Sequence, residues 1–311
     1  FLMGAFATGF LLFGIALIYG STGSFDVHVI NTFSVANPKD LMFVMGIMLM
    51  LVAMAFKVSL APFHMWSPDV YQGAPSLITS FMASVVKIAA FFAFFKVMNL
   101  AFAGSIKEWI NILGVLVIIT LLLANAMGLA QTNAKRMLAY SSVSHAGYLG
   151  LIFFGANSLS VYNLAFYLFA YSLATVGVFM TLIWVEKLKR ETSFEAFKGL
   201  AKSEPLLAVV TAVSLLSMAG IPLTAGFVAK FNIFAQAMNG AAFLVLIAVI
   251  GSALSIAYYL KLIISMFFHT ETTFKSSEKV SITYNIIAVF IIVAILAIGI
   301  YPDLFKVQFG L

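Results

Sequence analysis

The sequence predicts an all-α, polytopic transmembrane helix bundle of about nine spans, two of them broken. Three observations predict it. Of 311 residues, 63% are hydrophobic and 9% charged, against roughly 25% charged in a soluble domain. Apolar runs of about 20 residues, enough to cross a hydrocarbon core of about 30 Å, recur along the chain. Two of these runs contain an internal proline, Pro62 and Pro222.

The runs fall near residues 1 to 20, 41 to 66, 76 to 98, 109 to 130, 138 to 156, 161 to 185, 206 to 238, 242 to 268 and 282 to 301. As one straight helix, 206 to 238 would be about 50 Å long at ~1.5 Å per residue, too long for one upright crossing. Gly220-Ile221-Pro222 supplies the interruption, because proline has no N–H to donate and its ring crowds the preceding turn. Pro62 does the same within 41 to 66. Backbone groups freed at membrane depth are tolerable only where protein or a water-filled cavity satisfies them. Two broken spans in one chain are the pattern of transporters built from structural repeats. A packing kink is the competing reading of either proline alone.

The charged residues give a sidedness. Lys135, Arg136, Lys187, Lys189, Arg190, Lys198, Lys202, Lys275 and Lys279 fall in loops on one side. Lys39, Lys107 and Lys306 fall on the other, with Lys96 near a span end. The positive-inside rule puts the first group in the cytoplasm and the carboxyl end outside. The loop 186 to 204 reads either as an amphipathic surface helix or as a solvated connector. A net charge of +6 without a basic, aromatic-interleaved patch argues against nucleic acid as a partner and leaves the lipid bilayer. Zero cysteines exclude disulfides, thiolate-held iron-sulfur clusters and Cys-ligated zinc in this chain. Phe1 lies already inside an apolar stretch with no charged leader before it, so the expectation is a chain shortened at its amino end.

Three lysines stand inside apolar spans: Lys57 in AMAFKVSLAPF, Lys87 in ASVVKIAAFF and Lys230 in GFVAKFNIF. Counted from the span ends at helical rise, Lys57 and Lys87 sit about 13 to 17 Å below the cytoplasmic surface. Lys230 sits about 12 Å from the opposite one, so all three fall near the midplane. A charge there costs at least about 2.5 to 3.5 kcal/mol. An ion pair would explain it, but every Asp and Glu lies in a loop or at a span end. Desolvated without a partner, and with Lys57 and Lys87 apposed, such amines can exchange protons. A proton relay is therefore the reading for Lys57, Lys87 and Lys230, with snorkelling the alternative for Lys57, which lies near Pro62.

His145, about 10 Å deep in SSVSHAGY, has chemistry suited to proton transfer and hydroxyl neighbours in Tyr140, Ser141, Ser142 and Ser144. A satisfied structural histidine is the equal alternative. His64, beside Pro62, is a second candidate for the relay. His28 and His269 are interfacial, and no pair has metal-ligand spacing, so no metal site is expected. Lys261 reads as a snorkelling lysine.

FKVSLAPFHMWSPDVYQGAPS at 56 to 76, TNAKRMLAYSSVSHAGYLG at 132 to 150 and SMAGIPLTAGFVAKF at 217 to 231 resemble the antiporter-like, proton-translocating membrane subunits of bacterial NADH-quinone oxidoreductase, or complex I. Within them, Val70-Tyr71-Gln72-Gly73-Ala74-Pro75 and the stretch from Tyr140 to Tyr148 are most similar to the subunit N family. The resemblance implies two inverted five-helix repeats, each with a broken helix. On that division, 1–100 is the carboxyl-terminal part of the first repeat, 101–270 the second repeat and 271–311 the last helix. It also implies proton-relay roles for Lys57, Lys87 and Lys230, and a central-axis place for His145. It implies a bacterial inner membrane location, with other complex I membrane subunits as partners. NADH, flavin, iron-sulfur clusters and quinone are implied in those partner subunits, and no cofactor in this chain. Gln72 stands where glutamate is common in the family. The helix carrying the glutamate that pairs with the first lysine has no counterpart here. A subunit of a multisubunit sodium/proton antiporter shares the lysines and broken helices and is the alternative. The midplane lysines argue against a structural scaffold, and a lipid-acting enzyme would need a catalytic constellation that the sequence does not offer.

Overall fold

The computed structural model describes residues 1–269 and 280–306. Lys275 and Lys279, used above for sidedness, lie outside the described residues, as do 271–279 and 307–311 of the segment 271–311. The described residues are helical, joined by short turns and one isolated bridge between Asn133 and Ser193. The main helices are α1 (Leu2–Thr22), α2 (Val27–Ala36), α3 (Leu41–Val58), α4 (Trp66–Gly73), α5 (Ser76–Ala101), α6 (Ile106–Leu129), α7 (Ala134–Gly150), α8 (Ser160–Lys189), α9 (Pro205–Ala219), α10 (Ala225–Phe268) and α11 (Ile282–Ile300). Seven of them, α1, α3, α5, α6, α8, α10 and α11, are long and apolar enough to cross a membrane.

Several boundaries differ from the sequence expectation, each for a local reason. The run 41 to 66 is helical only to Val58, where Ser59 takes a left-handed turn (φ 65°). The indole N–H of Trp66 then donates to the Phe56 carbonyl at 3.0 Å, tying the following turn back to α3. The run 206 to 238 stops at Ala219, because Gly220 adopts φ 85°, a left-handed helix end that glycine reaches without a Cβ clash. α10 contains a kink at Ala241 (φ −155°, ψ 52°). Lys230 and Ser252, equally far from Ala241 in sequence, touch, so the two arms of α10 fold back on one another. α2 was not expected. Asp26 caps it, accepting from the backbone N–H groups of His28 and Val29.

α7 starts at Ala134 rather than 138, because the Asn133 side chain accepts from the Arg136 N–H at 3.1 Å. Every residue of α7 except Arg136 is buried. It packs against α4, α6 and α10. Surrounded by protein, it carries Tyr140, three serines, His145 and Tyr148 without facing lipid. α8 ends in a left-handed Arg190. The loop beyond it forms a short 3₁₀ turn, Phe194–Phe197, with Phe197 buried, rather than a surface-lying helix.

Candidate functional site

The site is built around α7. α9 ends on Ala219, and the C-terminal pole of a helix carries partial negative charge on unpaired carbonyls. The Lys230 amine fills that position: its Nζ donates to the Ala219 carbonyl at 3.0 Å and to Ser252 Oγ at 2.9 Å. The lysine is 4% exposed. Close packing of α10 on α9 lets it reach. The Gly226 N–H donates to Ser217 Oγ at 3.0 Å, and a Cβ on Gly226 would stand 1.9 Å from the Ser217 carbonyl. On its other side the amine faces the Tyr148 ring, 4.6 Å from the centroid.

Lys87 follows a π-helical turn, Met82–Val86, inside α5; such turns re-aim the side chains after them. The amine, also 4% exposed, donates to the carbonyl and the hydroxyl of Ser142 on α7. It lies 5.6 Å from the Tyr171 ring centroid. Among the described residues neither Lys87 nor Lys230 meets a carboxylate. Both amines are satisfied by neutral groups alone.

His145 lies between them. Its Nδ1 is 2.8 Å from the Tyr167 hydroxyl and its Nε2 is 3.3 Å from the Tyr259 hydroxyl, which is in turn bonded to Ser141 Oγ. The imidazole is 4.6 Å from the Tyr171 ring and 5.7 Å from the Tyr148 ring, centroid to centroid. Tyr171 thus separates Lys87 from His145, and Tyr148 separates His145 from Lys230. His145, Tyr167, Tyr171 and Ser217 line a cavity with about 10 Å³ open to the centre of a water molecule, near the least that holds one water. Two cations and a titratable ring joined by hydroxyls and a water-sized space can pass protons between neutral and charged forms. Among the described residues, no three His, Asp or Glu side chains converge to hold a metal.

Lys57 does not join this group. At the end of α3 its neighbours Ala55 and Val58 are buried, and the helical period turns Lys57 to the exposed face. It makes no hydrogen bond or ion pair among the described residues, whereas Lys87 is buried against Ser142. His64 is 6% exposed, and its Nδ1, like the neighbouring Ser67 Oγ, is buried without a hydrogen-bond partner among the described residues. Its ring stands 6.5 Å from that of Tyr140. Lys135, expected in a loop, is 2% exposed. It donates to the Ala74 carbonyl at 2.5 Å and pairs with Glu186 at 3.4 Å; Glu186 also accepts from Ser76. Beside it Arg136 pairs with Asp69 at 2.7 Å and with Gln72 at 2.8 Å, so Gln72 supplies the acceptor that a glutamate would. Lys261 donates to the Leu129 carbonyl at the end of α6, at 2.6 Å.

Residues 1–255 match the family described as NADH:quinone oxidoreductase/Mrp antiporter, TM. The chain belongs to this family. NADH-quinone oxidoreductase subunit N of Cytophaga hutchinsonii is 42% identical over 305 residues, an alignment covering 98% of this chain and 66% of that relative. The chain therefore spans just under two thirds of that protein's length. A chain of respiratory complex I from Thermus thermophilus with bound aureothin aligns at 35% identity and a TM-score of 0.79, over 98% of this chain and 66% of that one. A chain of the Mrp complex from Dietzia sp. aligns at 23% identity and a TM-score of 0.85, over 97% and 64%. That last likeness concerns the fold alone.

Proposed function

We propose that this chain is a proton-conducting membrane subunit of an NADH-quinone oxidoreductase. The carrying observation is that Lys87, His145 and Lys230 line up in the buried interior with neutral partners only. A permanent structural charge would be paired with a carboxylate. Here each amine keeps partners that tolerate both its protonation states. Protons enter from the cytoplasm, pass Lys87 and His145 by hydroxyls and water, reach Lys230 and leave outward. Lys57 and His64 serve at the uptake end; His64's unpartnered Nδ1 marks a place for water. A change in charge at one amine changes proton affinity at the next, which is the coupling free energy.

On this reading the chain makes nine crossings. Six of the long helices, α1, α3, α5, α6, α8 and α11, are joined by α7, by α9 with the first arm of α10, and by α10's second arm as a separate crossing. The parts 1–100, 101–270 and 271–311 are the end of one repeat, a whole second repeat and a closing helix. The membrane is the bacterial inner membrane, and the carboxyl end is external. Other complex I membrane subunits are the partners, and NADH, flavin, iron-sulfur clusters and quinone reside in partner subunits. The sodium/proton antiporter alternative shares the fold, but the 42% identity to a subunit N favours the redox-driven pump.

The test is proton flux per assembled complex in sealed vesicles, with content checked on native gels. Lys230→Arg keeps the charge but not the readily lost proton. It and Lys87→Ala are expected to depress flux more than assembly. Wild-type flux in both would make these lysines structural.

A further inference from the structure

We infer that Asn125 is a positioning residue for proton transfer: it fixes the hydroxyl end of Tyr148 and so keeps the face of that ring toward the Lys230 amine. The inference rests on the proton-conducting reading above. Asn125 lies on α6 and is fully buried. Its Nδ2 donates to the Leu121 carbonyl, one turn back on α6, at 2.7 Å, which sets the orientation of the amide. Oδ1 then accepts from Ser144 Oγ of α7 at 3.0 Å and from the Tyr258 hydroxyl of α10 at 3.2 Å. The second N–H of Nδ2 points at the Tyr148 hydroxyl oxygen, 3.5 Å away. All four hydrogen-bonding positions of the amide are thus used. Gly251 makes room for the contact: a Cβ there would stand 2.8 Å from Nδ2 and 3.4 Å from the Tyr148 oxygen.

The orientation of Tyr148 decides the sign of its effect on the lysine. An aromatic ring is negative on its face and positive at its edge. The amine now lies over the face, 4.6 Å from the centroid. A buried phenol needs a polar partner. Deprived of Asn125, the Tyr148 hydroxyl swings toward another one and tilts the ring, exchanging face for edge at Lys230. The titratable groups on that side of the amine are Tyr148 and His145 of α7, with Tyr167 and Tyr171 of α8 and Tyr259 of α10 around the imidazole. α9 and the second arm of α10 offer it the Ala219 carbonyl and Ser252. Among the described residues no carboxylate pairs with it. The ring therefore has no opposing charge to compete with, and its tilt passes directly into how firmly the ammonium holds its proton.

The experiment measures proton flux per complex against pH, with the full-length subunit in its assembled complex in sealed vesicles. In Asn125→Ala the ammonium forms less readily, so the alkaline fall-off of flux should move to lower pH, by about 0.4 to 1.5 units if the whole contact with the ring face is lost. Gly251→Ala pushes the amide off Tyr148 while leaving Asn125 in the chain, and should move the fall-off the same way. Tyr148→Phe is the decisive background. Its ring carries no hydroxyl in search of a partner, so adding Asn125→Ala to it should leave the fall-off where Tyr148→Phe alone puts it. A fall-off unmoved in both Asn125→Ala and Gly251→Ala, whatever the loss of complex content, overturns the inference and makes Asn125 a packing residue. A shift that persists in the Tyr148→Phe background overturns it too, because Asn125 then acts through Tyr258 or Ser144. Wild-type flux in Lys230→Arg overturns the proton-conducting reading itself.

Discussion

The Lys230 amine stands over the ring of Tyr148, 4.6 Å from its centroid, while the other neighbours of that ring include His145 at 5.7 Å. The ring face is electron-rich and favours the ammonium form, by roughly 0.5–2 kcal/mol depending on desolvation. Tyr148→Phe keeps the face and is expected to retain most proton flux. Tyr148→Leu loses it and is expected to slow flux by about 2- to 30-fold, the same energy read as a rate. Vesicle flux normalised to complex content makes the comparison; equal losses in both variants would assign the effect to the hydroxyl instead.

The two ion pairs at the start of α7 should differ in worth. The side chain of Lys135 is 3% exposed and that of its partner Glu186 36%, whereas those of Arg136 and Asp69 are 32% and 74% exposed. Glu186→Ala strands a buried ammonium, and should cost about 2 kcal/mol, discounted from the ~3–5 kcal/mol of a fully buried pair for the half-exposed carboxylate. Asp69→Ala should cost less than about 1 kcal/mol. Thermal midpoints of the detergent-solubilised complex order the two. Equal shifts would mean that the Ala74 carbonyl alone satisfies Lys135.

Much of this site was legible in the sequence because Lys87, Lys230 and His145 are conspicuous in apolar surroundings. Lys57 is equally conspicuous, yet it faces outward, since its direction is set by one step of helical phase beside Ala55 and Val58. Lys135 lies in a polar stretch that reads as a loop, and it is buried only because the segment around Ala74 and the end of α8 close over it. Asn133, a ready helix cap, was the local signal that α7 begins at Ala134, ahead of Lys135. Ser252, Tyr167 and Tyr259 gave no signal, because hydroxyls are common between membrane helices and only the fold decides which ones meet. The reversal of α10 at Ala241 brings Ser252 to Lys230; a boundary between 238 and 242 was expected, but not the contact.

Gly226→Ala should disrupt the site without touching a titratable group. The added Cβ would lie 1.9 Å from the Ser217 carbonyl and 2.6 Å from its carbon, both backbone atoms that cannot rotate away. α10 must then move off α9, drawing Lys230 from the Ala219 carbonyl. Overpacking of this kind costs typically about 1–3 kcal/mol and more when backbone must shift. Reduced complex content on native gels, together with lower flux per remaining complex, is the expected result. Gly4→Ala, with nothing within 4 Å of its added Cβ, is the matched control.

His145 offers the sharpest separation of structure from proton transfer. Its two ring nitrogens meet two different hydroxyls, Tyr167 at 2.8 Å and Tyr259 at 3.3 Å, on different helices. A neutral imidazole donates from one nitrogen and accepts at the other, and each hydroxyl can take either complementary part. Exchanging the tautomer therefore moves a proton from one tyrosine's side to the other without moving the ring. His145→Phe leaves both buried hydroxyls with a partner lost, at about 1–3 kcal/mol each, so complex content should fall. His145→Gln keeps one donor and one acceptor on its amide, and is expected to recover assembly. An amide does not titrate near neutral pH, so flux per assembled complex should stay low. The decisive measurement is that flux in the glutamine variant. If it matches wild type at normal complex content, His145 serves only to hold Tyr167 and Tyr259 in place, and protons travel from Lys87 to Lys230 without it.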